Sequence, residues 1–197
     1  MKKFINILSL TFMFTLLITS QPAYANELSK NNLNGSYASC SENDSMLINA
    51  KLLSSNSYIG NGRLITTDIY EQADGTIITD ILNVSAATTY SKNGSDTATR
   101  TRTISGWGSI TITASFSWYT EGMFSYVKCS SMDASYSMVS SAVKSTWETS
   151  YTSDYVSVGS ASAQVKYSFY NKDFPAQYQN GTFKITCTDS GSISDNN

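Results

Sequence analysis

Carboxylates are the groups in this 197-residue chain that could carry acid–base catalysis, because the sequence contains no histidine. That absence excludes Ser-His-Asp and Cys-His nucleophiles and histidine-ligated zinc. A glycan hydrolase needs two carboxylates on either side of a cleft. The candidates are Glu71 with Asp74, Glu121, Glu148 with Asp154, and Asp173. Most of them lie beside turn glycines or in polar loops, where a carboxylate is normally solvated, so hydrolysis is our third hypothesis.

Metal, nucleotide and nucleic-acid chemistry find no support in the sequence. Asp189 and Asp195 lack the spacing of a calcium-binding EF-hand loop, and no glycine-rich phosphate loop is present. The chain has 15 acidic and 13 basic side chains, and this balance supplies no basic field for phosphate contacts. We therefore predict no metal, no cofactor and no nucleic-acid partner.

Three cysteines, Cys40, Cys129 and Cys187, bear on redox chemistry. In an exported chain two of them should form a disulfide. Three connectivities are possible, and the spacing alone does not decide between them. Cys129 and Cys187 lie in strand-like segments, whereas Cys40 lies in the irregular stretch "YASCSENDS", so we expect a Cys129–Cys187 disulfide.

Aromatic side chains are the first candidates for binding. Trp107 lies between two glycines in "SGWGS", and Trp118 and Tyr119 lie at the end of a predicted hairpin. Exposed Trp and Tyr side chains bind sugars and protein partners well because their large area is rigid. The competing interpretation places Trp118 in the core with Phe116 and uses Trp107 to close one end of the fold. Trp147 is expected in the core.

Arginines are the second candidates for binding. Arg100 and Arg102 share one face of the segment "TATRTRT", where two guanidinium groups could bind an anion or a glycan carboxylate. The alternative is a solvated strand face with acidic cross-strand partners. We favour this alternative because no aromatic or glycine-rich loop lies in register.

Strands must position these residues. The segment "GSITITASFSW" (Gly108–Trp118) alternates apolar and polar side chains, which predicts a half-buried β-strand. Similar runs recur between turn signals such as Asp74-Gly75, Asn93-Gly94 and Asn180-Gly181, and Glu121-Gly122 indicates a hairpin. The predicted fold is all-β, an antiparallel β-sandwich that is immunoglobulin-like in general architecture.

The N-terminus has the three parts of a secretory signal peptide. Lys2 and Lys3 precede an apolar run, and Ala23-Tyr24-Ala25 ends the segment. We therefore expect cleavage after Ala25 and a secreted, extracellular protein. The expected organisation is a signal peptide over 1–25, an irregular N-terminal segment or pro-segment over 26–72, a β-sandwich domain over 73–190 and a polar tail over 191–197.

Two stretches, "ITASFSWYTEGMFSYVKCSSMDASY" and "GTFKITCTDSGSIS", flank a central tryptophan. This order resembles a group of small secreted proteins of Gram-positive bacteria that share a two-cysteine β domain. The matching residues are Cys129, Trp147, Cys187, Thr188, Gly191 and Ser194. The resemblance covers the C-terminal half of the chain. It implies a β domain with a bridge between its two cysteines, and it implies no catalytic mechanism.

The sequence therefore predicts a secreted, non-catalytic protein that contacts an extracellular protein or an envelope glycan. The alternative is a membrane-active or antimicrobial protein, either bacteriocin-like or pore-forming. The segments "TATRTRTIS" and "GSITITASFSW" would form a pore-forming hairpin with one polar and one lipid-facing side. A soluble antiparallel sheet gives the same alternation, so we expect the polar face to meet water.

Overall fold

The computed structural model describes residues 46–47, 49–86 and 92–195. Within these ranges the chain forms strands and no helix, which confirms the predicted all-β class. None of the described residues forms a helix long and apolar enough to cross a membrane. The predicted signal peptide and Cys40 lie outside the described residues.

The strands form two antiparallel sheets. Sheet A has the order β1-β2-β3-β4-β5-β6-β8, and sheet B has the order β11-β10-β9-β7. The strands are β1 Lys51–Gly60, β2 Arg63–Glu71, β3 Ile77–Ser85, β4 Asn93–Ile104, β5 Gly108–Glu121, β6 Phe124–Met138, β7 Val143–Tyr151, β8 Val156–Ser157, β9 Ser160–Asn171, β10 Tyr178–Thr188 and β11 Ile193–Ser194. The first six strands follow one another as hairpins, so sheet A is a meander to which β8 adds a short edge.

One buried cluster includes residues of both sheets. In β5, Ile112 and Phe116 are fully buried, and in β9, Val165 and Phe169 are fully buried. The intervening residues of both strands are more exposed. Side chains at every second position of a strand point to the same face. Burial of these apolar faces, at roughly 25 cal/mol per Å², therefore stabilises both sheets together.

The polar face of β5 carries rows of hydroxyl groups that bond across the strands. Thr101 and Thr111 hydroxyls lie 2.9 Å apart, and Ser117 and Ser130 hydroxyls lie 2.7 Å apart. Such cross-strand pairs add a few tenths of a kcal/mol each, up to about 1 kcal/mol. These hydroxyls satisfy one another on the face of sheet A opposite the buried cluster.

The segment expected to be irregular contains two regular strands, β1 and β2. Both pair along their full length, and a turn at Asn61-Gly62 joins them. Both turn residues have positive φ, 53° and 72°, as a tight hairpin of this kind requires. For the described residues 49–72 the expectation of irregular structure was wrong, because β1 is an exposed edge strand whose register shifts between Leu52 and Ser54, which breaks the alternation.

The predicted polar tail is also ordered in part. Ile193 and Ser194 form β11 and pair with Cys187 and Thr186 of β10. Asp195 lies with its side chain 17% exposed beside Arg100. Composition alone did not show this, because the pairing depends on backbone groups of β10. Residues 196–197 lie outside the described part.

Candidate functional site

Arg100 and Arg102 point into the fold, so the expected solvated strand face is wrong. They are 4% and 0% exposed and share the carboxylate of Asp80, which is 3% exposed. Arg102 donates from Nε at 3.0 Å and from Nη2 at 2.5 Å, and Arg100 donates from Nη2 at 2.8 Å. Both guanidinium groups lie over the ring of Phe183, 5.0–5.3 Å from its centroid.

This ion cluster links the two sheets. Arg100 of β4 donates from Nη1 to the backbone carbonyl of Lys184 in β10 at 2.7 Å. Burial raises the pKa of Asp80, but the charges of Arg102 and Arg100 and their hydrogen bonds outweigh burial and leave this pKa below its usual value. A carboxylate held this way stays ionised and offsets one of the two buried positive charges, and the Asp195 carboxylate lies 4.0 Å from Arg100. Its role is structural, and the two arginines are not available to a ligand at the surface.

The register of β4 and β5 bears on the pore-forming hypothesis. Arg100 lies opposite Ile112, and Arg102 lies opposite Ile110. The apolar face of this hairpin therefore carries both arginines. A lipid-facing arginine costs about 2–4 kcal/mol at the middle of a bilayer, so insertion of this hairpin would expose lipid to two such charges.

Both described cysteines are free and buried, so the predicted Cys129–Cys187 disulfide is wrong. Each thiol faces a backbone carbonyl of its own strand. The Sγ atom of Cys129 donates to Ser131 at 3.2 Å, and that of Cys187 donates to Thr188 at 3.4 Å. Burial raises the pKa of both thiols, that of Cys187 to about 12. The reactive thiolate is thus disfavoured.

Trp107 and Trp118 are partly buried and pack against the core cluster. The indole of Trp118 lies against Gly94 and Gly191, so its faces are covered by the protein. Tyr119 is the next residue of β5 and points to the opposite face of sheet A, where its ring stacks on Tyr126 at 4.8 Å. The three predicted aromatic candidates therefore do not form one site.

The sequence predicted Trp147 in the core, and this prediction was wrong. The side chain is 40% exposed. Its ring contacts that of Tyr136, which is 43% exposed, with centroids 4.4 Å apart. Trp147 belongs to β7, an edge strand of sheet B. A tryptophan in an edge strand is covered from one side only, which explains why sequence alternation overestimated its burial.

A polar trough crosses sheet B and was not predicted from sequence. Its volume is about 360 Å³. The lining residues come from β7, β9 and β10: Thr146, Trp147, Glu148, Lys166, Tyr167, Ser168, Asn180, Gly181 and Thr182. They are rows of cross-strand partners, because Thr146, Ser168 and Asn180 align, as do Glu148, Lys166 and Thr182. Tyr167 is buried while Lys166 is exposed, so these rows lie on the outer face.

A pair of tyrosines lies one row beyond the trough. Tyr170 of β9 pairs with Tyr178 of β10, and Lys144 of β7 completes the row. Tyr178 is 58% exposed. Tyr170 shares a face with Ser168 because alternate residues of a strand point the same way. The outer face of sheet B thus combines hydroxyl, amide, carboxylate and ammonium groups with aromatic rings.

The charges in the trough balance. Glu148 lies directly opposite Lys166, so one negative group faces one positive group. Among the described residues that line the trough, Glu148 is the one carboxylate.

The described ranges hold no group of three or more Cys, Asp or Glu side chains placed to bind a metal. Comparison with protein-family models, with curated proteins and with solved structures finds no match for this chain.

Proposed function

We propose that this protein is a secreted, non-catalytic β-sandwich protein, immunoglobulin-like in general architecture, that binds an envelope glycan on the outer face of sheet B. The observation that carries the proposal is the polar trough with the adjacent tyrosine pair. Sugars present many hydroxyl groups beside apolar ring faces. Hydroxyl, amide and charged side chains bond to such hydroxyls, and exposed tyrosine rings pack against ring faces.

The trough favours a neutral glycan. Glu148 and Lys166 oppose each other, so the floor of the site offers no net charge to an anionic ligand. Asn180 and Thr146 at the next row supply donors and acceptors without charge. Binding of a neutral oligosaccharide should therefore change little with ionic strength.

The absence of a second lining carboxylate supports the non-catalytic part of the proposal. Retaining glycosidases hold two carboxyl groups about 5 Å apart, and inverting enzymes hold them roughly 6.5–9.5 Å apart. Glu148 has no carboxylate partner among the described lining residues. The membrane-active alternative ranks second, because a β4–β5 hairpin would bring Arg100 and Arg102 to its lipid face.

A glycan array that contains neutral and uronic-acid oligosaccharides tests the proposal, followed by calorimetric titration with the best ligand. We expect Asn180→Ala and Tyr178→Ala to weaken that binding by about tenfold each, as loss of one aromatic or hydrogen-bond contact does. Tyr58→Ala is the matched control, because Tyr58 is equally exposed, 59% against 58%, but lies on sheet A. No shortened sugars should form during incubation.

Three outcomes would contradict the proposal. The array shows no ligand, the Tyr58 and Tyr178 variants lose affinity equally, or the ligand is cleaved. A pulldown that recovers one protein partner, with loss of capture by Tyr178→Ala, would assign the same face to a protein instead of a glycan.

A further inference from the structure

An apolar tip ends the β5–β6 hairpin, far from the trough in sequence and on the other sheet. It consists of Met123, Phe124 and Val158, which are 95%, 54% and 75% exposed. Val158 follows β8, and its backbone N–H donates to the carbonyl of Ser125 at 3.3 Å. This bond holds the loop after β8 beside the hairpin, so the three exposed apolar side chains lie at the same end of sheet A.

The backbone at Val158 is strained. Its φ is 58°, in the left-handed region, which is unfavourable for a residue with a Cβ. A β-branched residue at positive φ is an outlier. Glycine would adopt this conformation without strain, and an exposed valine stabilises no core. Strained conformations of this kind cluster at functional sites, so the valine points to an external apolar partner.

Three tyrosines lie directly behind the tip, and we call them the tyrosine group: Tyr119, Tyr126 and Tyr155. Tyr119 stacks on Tyr126 at 4.8 Å and meets the edge of Tyr155 at 4.9 Å. Tyr119 pairs with Tyr126 two residue pairs behind Glu121 and Phe124. At roughly 3.4 Å per residue, the tyrosine group lies about 7 Å behind the end of the hairpin.

This spacing matches a membrane surface. Apolar groups of peripheral proteins enter about 5–10 Å into the boundary between headgroups and acyl chains, and tyrosines concentrate at the headgroup level. The tip offers three exposed apolar side chains, whereas a stable protein interface takes about 20–30 residues on each side. We propose that the apolar tip inserts into the surface of a phospholipid bilayer, with the tyrosine group among the headgroups.

The charges beside the tip specify the kind of bilayer. Glu121 pairs with Phe124 at the end of the hairpin, and Asp154 precedes Tyr155 in the chain. Lys92 precedes Asn93, the cross-strand partner of Tyr119, and the Nζ atom of Lys128 lies 4.5 Å from the Tyr155 ring centroid, so the acidic and basic side chains near the tyrosine group balance. Anionic lipids attract clusters of basic residues, and this region has none. Binding is therefore to neutral phospholipid and is driven by apolar insertion, without spanning the membrane.

Flotation of the purified protein with phosphatidylcholine vesicles tests the proposal. The wild-type chain should float with the vesicles at both low and high salt. The double variant Met123→Ser/Phe124→Ser should partition at least about tenfold less, because two apolar side chains no longer leave water. Phe174→Ser is the matched control, because Phe174 is 63% exposed in the β9–β10 turn at the opposite end of the strands.

The depth of insertion into the bilayer and the folding of the variants are measured separately. A Met123→Trp variant should show blue-shifted fluorescence that brominated phosphatidylcholine quenches. Circular dichroism and the thermal midpoint should not change in the serine variant, because both replaced side chains are exposed. Asn180→Ala, which alters the trough, should keep full vesicle binding, so failure of the glycan proposal and failure of this one are distinguishable.

Several results would overturn the membrane proposal. The wild-type protein does not float, Phe174→Ser loses as much binding as the double variant, or binding requires phosphatidylserine and disappears in salt. A change of oligomeric state in Met123→Ser/Phe124→Ser, with no change in flotation, would instead make the tip a contact between two copies of this chain.

Discussion

Trp118 occupies the space that a side chain on its cross-strand partner Gly94 would need. The two residues pair in the β4–β5 ladder, and a methyl group on Gly94 would lie 2.6 Å from Cζ2 of the indole. Gly191, at φ 82°, meets the same ring. The tryptophan is therefore fixed between two glycines, and this packing explains why a large aromatic residue at a hairpin end is not free to bind a ligand.

Gly94→Ala should lower the free energy of unfolding by about 1–3 kcal/mol, the usual effect of overpacking, although alanine normally suits a strand better than glycine. In a Trp118→Phe background the same change should cost less than about 0.5 kcal/mol, because the second ring is gone. Gly60→Ala is the control: its added methyl meets the exposed, movable ring of Tyr58 at 3.3 Å. Urea titration of the wild type, Gly94→Ala, Trp118→Phe and the double variant gives the coupling energy. Equal costs of Gly94→Ala in both backgrounds would contradict the contact.

Glycines also show what the sequence could and could not predict. The strand-rich region, the β5–β6 hairpin and the alternation in β5, β9 and β10 follow from local patterns, and the structure contains them. Asn93-Gly94 and Asn180-Gly181, however, indicated turns and lie inside strands. Gly94 faces Trp118, and Gly181 faces the Tyr167 hydroxyl and Met46. Such contacts between residues far apart in sequence decide the role of a glycine, and local rules do not include them.

The candidate site was harder to predict for the same reason. Arg100 and Arg102 alternate with threonines, and that pattern alone does not tell which face is buried. The buried face is the one that carries the arginines, because Asp80 of the neighbouring strand binds both of them there. The trough is made of three consecutive residues from each of three strands, with no binding motif within any of them. Its one local signal was the alternation of Lys166 and Ser168 with buried residues in β9.

Asp80→Asn should destabilise the protein by about 3–5 kcal/mol, because Arg102 loses the Asp80 carboxylate and Arg100 is left with the more distant carboxylate of Asp195, 4.0 Å away. Asp68→Asn is the matched control on the adjacent strand. Burial first, and then the carboxylates of Asp195 and Asp80, raise the pKa of Asp68, so its neutral replacement should cost nothing or stabilise slightly. Urea unfolding at pH 7 measures the change in the free energy of unfolding for each of the two variants. A cost for Asp80→Asn similar to that for Asp68→Asn would contradict the structural role of the ion cluster.

Stability should fall at alkaline pH through Cys187. Its pKa is raised by burial from 9.0 to about 12, so above pH 9 the unfolded chain loses the thiol proton while the folded chain keeps it. The contribution of the Cys187 thiol to the free energy of unfolding is complete below pH 9. It is lost as the pH rises toward 12, with a slope of up to about 1.4 kcal/mol per pH unit. Unfolding free energies from pH 8 to 11 should decline more steeply for the wild type than for Cys187→Ala.

Parallel slopes for the two proteins would contradict a buried, protonated thiol. Alkylation of the folded protein at pH 8, followed by peptide mass spectrometry, provides a second check. Cys129 and Cys187 should remain unlabelled until urea unfolds the chain, because burial disfavours their thiolates. Reductant should leave the thermal midpoint unchanged, since the two described thiols are not bridged.

Val158→Gly should separate stability from membrane contact. Removal of the strain at φ 58° should raise the free energy of unfolding by about 1 kcal/mol, and no buried contact is lost because the side chain is 75% exposed. The same change removes one of the three apolar groups of the tip, so flotation with phosphatidylcholine vesicles should decrease.

Val139→Gly provides the opposite case at the far end of the strands. Val139 is 60% exposed and is not among the described residues with positive φ. Its replacement should lower stability by about 0.5–1 kcal/mol through the greater entropy of the unfolded chain and leave flotation unchanged. If both variants shift stability in the same direction, the strain at Val158 is not real. If both keep full flotation, Val158 plays no part in membrane contact, and its strained backbone needs another explanation.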